Sequence, residues 1–341
     1  MKKTLLVWMM LMATTVLQAR AGGENVTTAK NSGPHRPRLA LVLGGGGAKG
    51  AAHAGALKVL EEAGLRPDFI VGTSIGSIVG GLYACGYRSA DIQQMFQSQE
   101  WLSLLGDRRD SLRRKIVARD EEGTVYVLGF PFSRAHSKRK DTSAGIMRGD
   151  NIVSLLDSMI MHAPLPYDSV GVWKRFRCVA YDGKNHLEYV FDHGDLTTAM
   201  RASMAIPGVF KPVRVDTLRL HDGGLINNLP CDVAKAMGAD VIIAIDLTQN
   251  HHEDEDADSR VSLKEKFGIG GLLNWAVERP DLRKYQQNRQ CCDIYINPDL
   301  KGYGAGSFKP EAISDMMQRG ETAARKQLKK LRRLAKELKR R

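Results

Sequence analysis

Apolar residues along this chain alternate between two spacings. RLALVLG (38–44) is an uninterrupted apolar run ending at glycine, which reads as a buried strand. AKGAAHAGALKVLEEAGL (48–65) then carries its apolar positions at helical spacing and closes on Gly64, predicting a helix. The pattern repeats at once: PDFIVG (67–72) reads as a second strand and SIGSIVGGLYACG (74–86) as a second helix. Strand, helix, strand, helix with short connections implies an α/β fold with parallel strands and helices on the sheet faces. FRCVAYD, EYVFD and LRLHDGG are further strands, and ADVIIAIDL (239–247) is a late buried one. Residues 87–170 are more polar, and RRDSLRRK and SRAHSKRK within them read as basic loops or exposed helix faces.

Ahead of the first strand the pattern is different. Lys2 and Lys3 precede a largely apolar stretch from Leu5 to Leu17, which ends in Ala19-Arg20-Ala21. This is the layout of a secretory signal peptide cleaved after Ala21, and the apolar run falls short of the roughly 18 residues of a spanning helix. An exported protein, periplasmic or secreted, is expected. Residues 22–37 read as a flexible leader, 38–250 as the main domain, 251–320 as an acidic linker (His251 to Asp258) with a C-terminal extension of the core, and 321–341 as a basic helix. The five cysteines form no disulfide framework. Cys85, Cys178 and Cys231 sit in apolar runs and read as small buried hydrophobes, and a bond between the neighbours Cys291 and Cys292 would be strained. No essential disulfide is expected, and no metal, since no Cys/His set has ligand spacing.

The candidate chemistry lies at the two strand-to-helix turns. GGGGAKGAAHAG (44–55) suits a backbone whose N–H groups approach an anionic oxygen. Gly45 to Gly50 also matches a dinucleotide fingerprint, but the next strand lacks the acidic residue that would hold a ribose. That strand ends in Gly72-Thr73-Ser74-Ile75-Gly76, a G-x-S-x-G placed where a nucleophile elbow requires it. The competing reading makes Ser74 only a helix cap. A serine nucleophile needs a base. His251 and His252 lie in the acidic run, and His53 reads as a packed helix residue. Asp222, after a short strand and before Gly223 and Gly224, is the better partner, with a plain Asx turn as its bland alternative.

Three ordered stretches now carry a family likeness. ALVLGGGGAKGAAHAGALKVLEEAGLRPDFIVGTSIGSIVGGLYACGY, ASMAIPGVFKPV (202–213) and DGGLINNLPCDVAKAMGADVIIAID (222–246) together resemble the patatin-like phospholipases, especially their bacterial branch. The resemblance implies a three-layer α/β/α sandwich with a mostly parallel central sheet. It also implies a lipid acyl hydrolase of phospholipase A or lysophospholipase type, with a Ser-Asp dyad, no histidine and no cofactor. Ser74 matches the nucleophile and Asp222 its proton acceptor. Gly45, Gly46 and Gly47 match the oxyanion loop, and Gly50, Gly72, Gly76, Gly223 and Gly224 are motif glycines. Lys49 is either a contact for a lipid phosphate or a solvated lysine at a helix start. His221 and Cys231 depart from the family pattern without removing a catalytic atom. The alternative on the same fold is a lipid-binding pseudoenzyme or interaction protein. Head group, acyl position and oligomeric state are not legible.

Charge changes the picture only at the C-terminus. Residues 321–341 hold ten Lys and Arg against two Glu, eight of the chain's net twelve positive charges. Leu328, Leu331, Leu334 and Leu338 share one helical face, so the segment is expected either to lie on an anionic membrane or to pack by its leucines on the domain. It has no aromatic residue to stack on bases, and no nucleic-acid partner is expected.

Overall fold

A computed structural model describes residues 36–105, 118–119, 125–126, 147–165, 169–249 and 282–339. The expected signal peptide, nearly all of the leader, the segments RRDSLRRK and SRAHSKRK, and His251 and His252 lie outside the described residues. The chain divides into a unit of residues 1–36 and a unit of residues 37–341, and the described helices and strands belong to the second.

The first half alternates as the apolar pattern predicts. Strand β1 (Leu39–Leu43) leads through a 3-10 turn (Gly47–Gly50) into α1 (Ala51–Glu62), and β2 (Phe69–Thr73) leads into α2 (Ile75–Ala84). The polar stretch that follows holds α3 (Ser89–Ser98), α4 (Trp101–Leu105), α5 (Asp150–Met161) and α6 (Ser169–Arg175). A two-residue antiparallel pair also joins Ala118–Arg119 to Val125–Tyr126. Next come β3 (Phe176–Asp182), β4 (Leu187–Phe191), α7 (Leu196–Ser203), β5 (Val213–Val215), β6 (Leu218–Asp222), α8 (Cys231–Ala236) and β7 (Val241–Ile245). The chain closes with α9 (Leu282–Gln290), β8 (Ile294–Ile296), α10 (Pro310–Lys326) and α11 (Leu328–Lys339). Strands β5 and β8 escape sequence reading because three residues are too few to show a period.

Pairing runs β8–β7–β1–β2–β3–β6–β5, with β4 also on β3. The contacts among β8, β7, β1, β2 and β3 are parallel, and those of β4, β5 and β6 antiparallel. The sheet is thus mostly parallel, with an antiparallel side. Strand β3 carries the arrangement that matters. Val179 pairs with Thr73 of β2 and with Val190 of β4; Ala180 pairs with Tyr189 of β4 and with Asp222 of β6. Since β4 occupies one edge, β2 and β6 share the other. They run toward each other along it and meet end to end.

Alternation along the strands sends side chains into two cores. Leu39, Leu41, Leu43, Ile70, Ile243 and Ile245 join the core beneath α1, α2, α7 and α10, while Ala40, Val42, Val71, Ile242 and Ala244 join the one shared with α8 and Tyr285 of α9. Three layers result. In the larger core α1 and α10 cross at glycines: a Cβ on Gly55 would lie 1.9 Å from the Met317 carbonyl oxygen, and one on Gly320 2.0 Å from that of Ala52.

The C-terminal basic segment is two helices rather than one, broken at Gln327. Of its leucines, Leu331 and Leu338 are buried and Leu328 and Leu334 pack against the same core. The leucine face is therefore occupied by the domain, and the cations stay outside with Thr322 and Glu337. They lie by the C-terminal end of α1, where Arg325 bridges Glu62 at 2.9 Å. The glycine loop is at the opposite end of that helix, so the tail is not beside the candidate site.

The helix crossing yields a stability prediction. Gly320→Leu should lower unfolding free energy by about 2–3 kcal/mol, because backbone rather than a flexible side chain occupies the space. An unchanged urea midpoint would contradict that account.

Candidate active site

The end-to-end meeting of β2 and β6 brings Ser74, the residue after β2, to Asp222, the last residue of β6. Ser74 Oγ donates a 2.7 Å hydrogen bond to Asp222 Oδ2. Both residues are only 3% exposed. Ser74 has φ 55 and ψ −125, a left-handed conformation that a non-glycine residue adopts at a cost of about 1–3 kcal/mol. The sharp turn is permitted by its flanking glycines. A Cβ on Gly72 would lie 2.3 Å from the Gly76 carbonyl oxygen, and one on Gly76 would lie 2.1 Å from that of Leu43.

Ser203, at the end of α7, braces the strained residue. Its hydroxyl accepts from the Ser74 amide at 2.9 Å and donates to the Val179 carbonyl at 2.6 Å. On the other side the Thr73 hydroxyl donates to the Asn227 carbonyl at 2.8 Å. Nothing in the local pattern of ASMAIPGVF marks Ser203 for this role; only the fold brings it from 129 positions away.

Asp222 is held by its own turn, with Gly224 N–H donating to Oδ1 at 2.7 Å. The Asp222 amide donates to the Ala205 carbonyl at 3.0 Å. Burial pushes the carboxyl up to about 7, against the opposing pull of the Gly224 amide and the Ser74 hydroxyl. The site therefore contains a hydroxyl in contact with a carboxylate that is a stronger base than an exposed aspartate.

The glycine loop packs against this pair, and a Cβ on Gly45 would lie 3.1 Å from Ser74 Cβ. Asn228 clamps the loop: its carbonyl accepts from the Gly45 amide at 3.2 Å, and its Nδ2 donates to the Gly45 carbonyl at 3.3 Å. The Gly44 amide donates to the Ile245 carbonyl at 3.0 Å. Gly46 and Gly47 enter the 3-10 turn as its cap and first residue, where amides have no partner within the helix. Gly50 faces Ile75 and Gly223 faces the Val179 carbonyl, both close approaches within the same turns.

Lys49 departs from expectation. The residue is 0% exposed, so it is not a solvated lysine at a helix start. His53 is likewise wholly buried, and its Nε2 donates to the Gly44 carbonyl at 2.9 Å. Burial pushes it down to about 4, leaving a neutral imidazole that supports the loop. His221 points to the other side of β6, its ring tilted against that of Tyr181 with centroids 6.5 Å apart. No histidine among the described residues hydrogen-bonds to Ser74 or Asp222.

Beside Ser74 opens a small apolar cavity of about 40 Å³, lined by residues including Ile75, Ile78, Trp101, Met204, Ile206 and Phe210. Its walls come from the start of α2, from α4 and α5, from the loop after α7 and from Ala305 and Phe308 ahead of α10. Much of that loop is the rest of the ASMAIPGVF stretch.

Comparison with known proteins matches the sequence to a family. The family model described as patatin-like phospholipase covers residues 41–235, more than half the chain and all of the residues that build the dyad and the glycine loop. Lysophospholipase nte1 of Aspergillus fumigatus is 31% identical over 289 residues, 79% of this chain and 17% of that protein. Human patatin-like phospholipase domain-containing protein 6 is 34% identical over 218 residues, 63% of this chain and 14% of that protein. The chain thus spans about a sixth of the length of these relatives. Among solved structures, VipD from Legionella pneumophila aligns with a TM-score of 0.48 and 14% identity, over 87% of this chain and 67% of that one. On the family match and the motifs it spans, this chain belongs to the patatin-like phospholipase family.

Proposed function

We propose that the protein is a serine acyl hydrolase of lipids, of phospholipase A or lysophospholipase type, working through a Ser74–Asp222 dyad and an acyl-enzyme. The observation that carries this reading is the 2.7 Å hydrogen bond between Ser74 Oγ and Asp222 Oδ2 in a buried site that opens on an apolar cavity. The names of the relatives, lysophospholipase and patatin-like phospholipase, support the same substrate class. A lipid-binding protein without activity would not need a strained serine aimed at a buried carboxylate.

As Ser74 Oγ attacks the ester carbonyl, its proton passes to Asp222 Oδ2. The carbonyl oxygen becomes an oxyanion, for which the amides of Gly46 and Gly47 are the donors within the glycine loop. Gly45 has a bracing part, since its amide is already bound to the Asn228 carbonyl. The Ser74 amide is similarly engaged by Ser203. Collapse of the tetrahedral intermediate breaks the ester C–O bond, and Asp222 returns the proton to the departing alcohol. Water then attacks the acyl-serine, giving its proton to Asp222, which passes it back to Ser74 as the fatty acid leaves. The apolar lining beside Ser74 suits the first carbons of an acyl chain.

Ser74→Ala should abolish both ester hydrolysis and labelling by a fluorophosphonate, and Asp222→Asn should reduce kcat by roughly 10⁴-fold, comparable to loss of a catalytic partner elsewhere. The rate should fall as pH drops through about 7, because Asp222 must be ionised to accept the proton. Stability has the opposite sign. A carboxyl raised in the folded state contributes stability below its unfolded value near 3.8, and this is lost as pH rises through about 7. Asp222→Asn should therefore keep its Tm at pH 8. A flat pH–rate profile from 5 to 9, or labelling of another serine, would remove the assignment.

Ser203 acts as a positioning residue in this scheme. Ser203→Ala is expected to lower kcat by roughly 10- to 100-fold with little change in KM, as a misplaced nucleophile does. A loss confined to KM would argue for a different part.

Export rests on residues 1–21, and we propose contact with an anionic membrane through exposed cations of α11, Lys329, Lys330 and Lys336 among them, rather than through its buried leucines. Each lysine near such a surface contributes about 1 kcal/mol. Replacing these three by Glu should weaken binding to phosphatidylserine vesicles in a salt-sensitive way and leave hydrolysis of a soluble short-chain ester unchanged. Equal vesicle binding by both proteins would remove this contact.

A further inference from the structure

Outside the dyad, one pair of reactive side chains has no part in the chemistry above. Cys231 Sγ and Cys292 Sγ lie 3.3 Å apart although 61 positions separate them in the chain. A disulfide is about 2.05 Å long, so closing the bond needs an approach of only about 1.3 Å. Cys231 is the first residue of α8 and is wholly buried; Cys292 lies in the turn between α9 and β8 and is half-buried.

The surroundings hold the two turns in register. Cys292 Sγ donates to the Asn288 carbonyl at 3.3 Å. The Asn288 side chain accepts from the Asp232 amide at 3.1 Å and donates to Asn227 Oδ1 at 2.9 Å. Asn227 in turn receives the Thr73 hydroxyl on its carbonyl, one residue before Ser74. Lys284 of α9 adds ion pairs to Glu188 and Asp232, the latter at 3.1 Å. The thiols therefore sit where α9 docks on the strand-end loops that carry the candidate site.

We propose that Cys231 and Cys292 are a redox-convertible pair, closed to a disulfide by exchange with a low-molecular-weight disulfide, which ties α8 to the turn after α9. Cys292, the more exposed sulfur, opens the exchange: its thiolate attacks one sulfur of the small disulfide and releases one small thiolate. Cys231 then gives up its proton and attacks Cys292 Sγ. The Cys231–Cys292 bond forms, the mixed disulfide breaks, and the second small thiol leaves. Two protein thiols are oxidised and one small disulfide is reduced to two thiols. The hydrogen bond that the Cys231 thiol donates to Cys292 Sγ, together with burial, holds Cys231 above its usual range, which makes it the resolving rather than the opening partner. Cys85 and Cys178, both buried, serve as internal references.

The test uses the full chain, purified reduced and equilibrated with excess oxidised glutathione. After denaturing alkylation, peptide mapping should recover Cys231 linked to Cys292, with Cys85 and Cys178 alkylated. The oxidised protein should melt about 5 °C higher than the reduced one, as expected for closing a long loop. Both the linkage and the Tm rise should vanish in Cys292→Ser and persist in Cys291→Ser. Recovery of Cys231 as the alkylated thiol from oxidised wild-type protein would overturn the proposal. So would a Cys291–Cys292 bridge, or glutathione left on Cys292 with Cys231 unlinked. The wild-type peptide map decides the matter even where a variant does not fold.

Discussion

The candidate chemistry depends on a single constraint of sheet geometry: two strands running toward each other along one edge of β3 must stop at adjacent positions. Thr73 stops opposite Val179 and Asp222 opposite Ala180, and the serine that follows the first strand meets the carboxylate that ends the second. A slip of one residue in either register would move the partner to the other face of the sheet. The groups around the junction oppose such a slip. Ser203 ties the Ser74 amide to the Val179 carbonyl, and the Asp222 amide is bound to the Ala205 carbonyl. Strand β3 and the end of α7 thus act as the template on which the pair is assembled.

Burial of this junction has two effects of opposite sign for the protein. It pushes the Asp222 carboxyl up to about 7, which makes a useful base of an aspartate, and it destabilises the folded chain whenever that group is ionised. The strained backbone at Ser74 adds a further cost. Both are offset by a scaffold with two apolar cores and by close helix crossing at Gly55 and Gly320. The glycines at the site and those in the core have the same geometric reason: backbone passes where a side chain would stand.

Polar groups divide by what the fold asks of them. Lys49, read as a possible phosphate contact, and His53, read as a packed helix residue, are both wholly buried, and His53 is a neutral support for the Gly44 carbonyl. Asn228 and Ser203, ordinary in sequence, clamp the glycine loop and the nucleophile turn. The C-terminal leucines likewise face the core, while their neighbouring cations remain in solvent.

Local pattern was enough for β1, α1, β2, α2, β3 and β6, and for the placing of Ser74 and Asp222 at strand ends, because a buried parallel strand and an amphipathic helix each carry their period within a few residues. The motif glycines were legible for a similar reason, since sharp turns exclude other residues locally. Tertiary structure alone decided which polar side chains became braces, that Lys49 is enclosed, that α11 presents cations rather than leucines, and that Cys231 meets Cys292. Each of these depends on contacts between segments far apart in the chain, and the burial of a polar group is a property of what packs around it, which no short stretch of sequence contains.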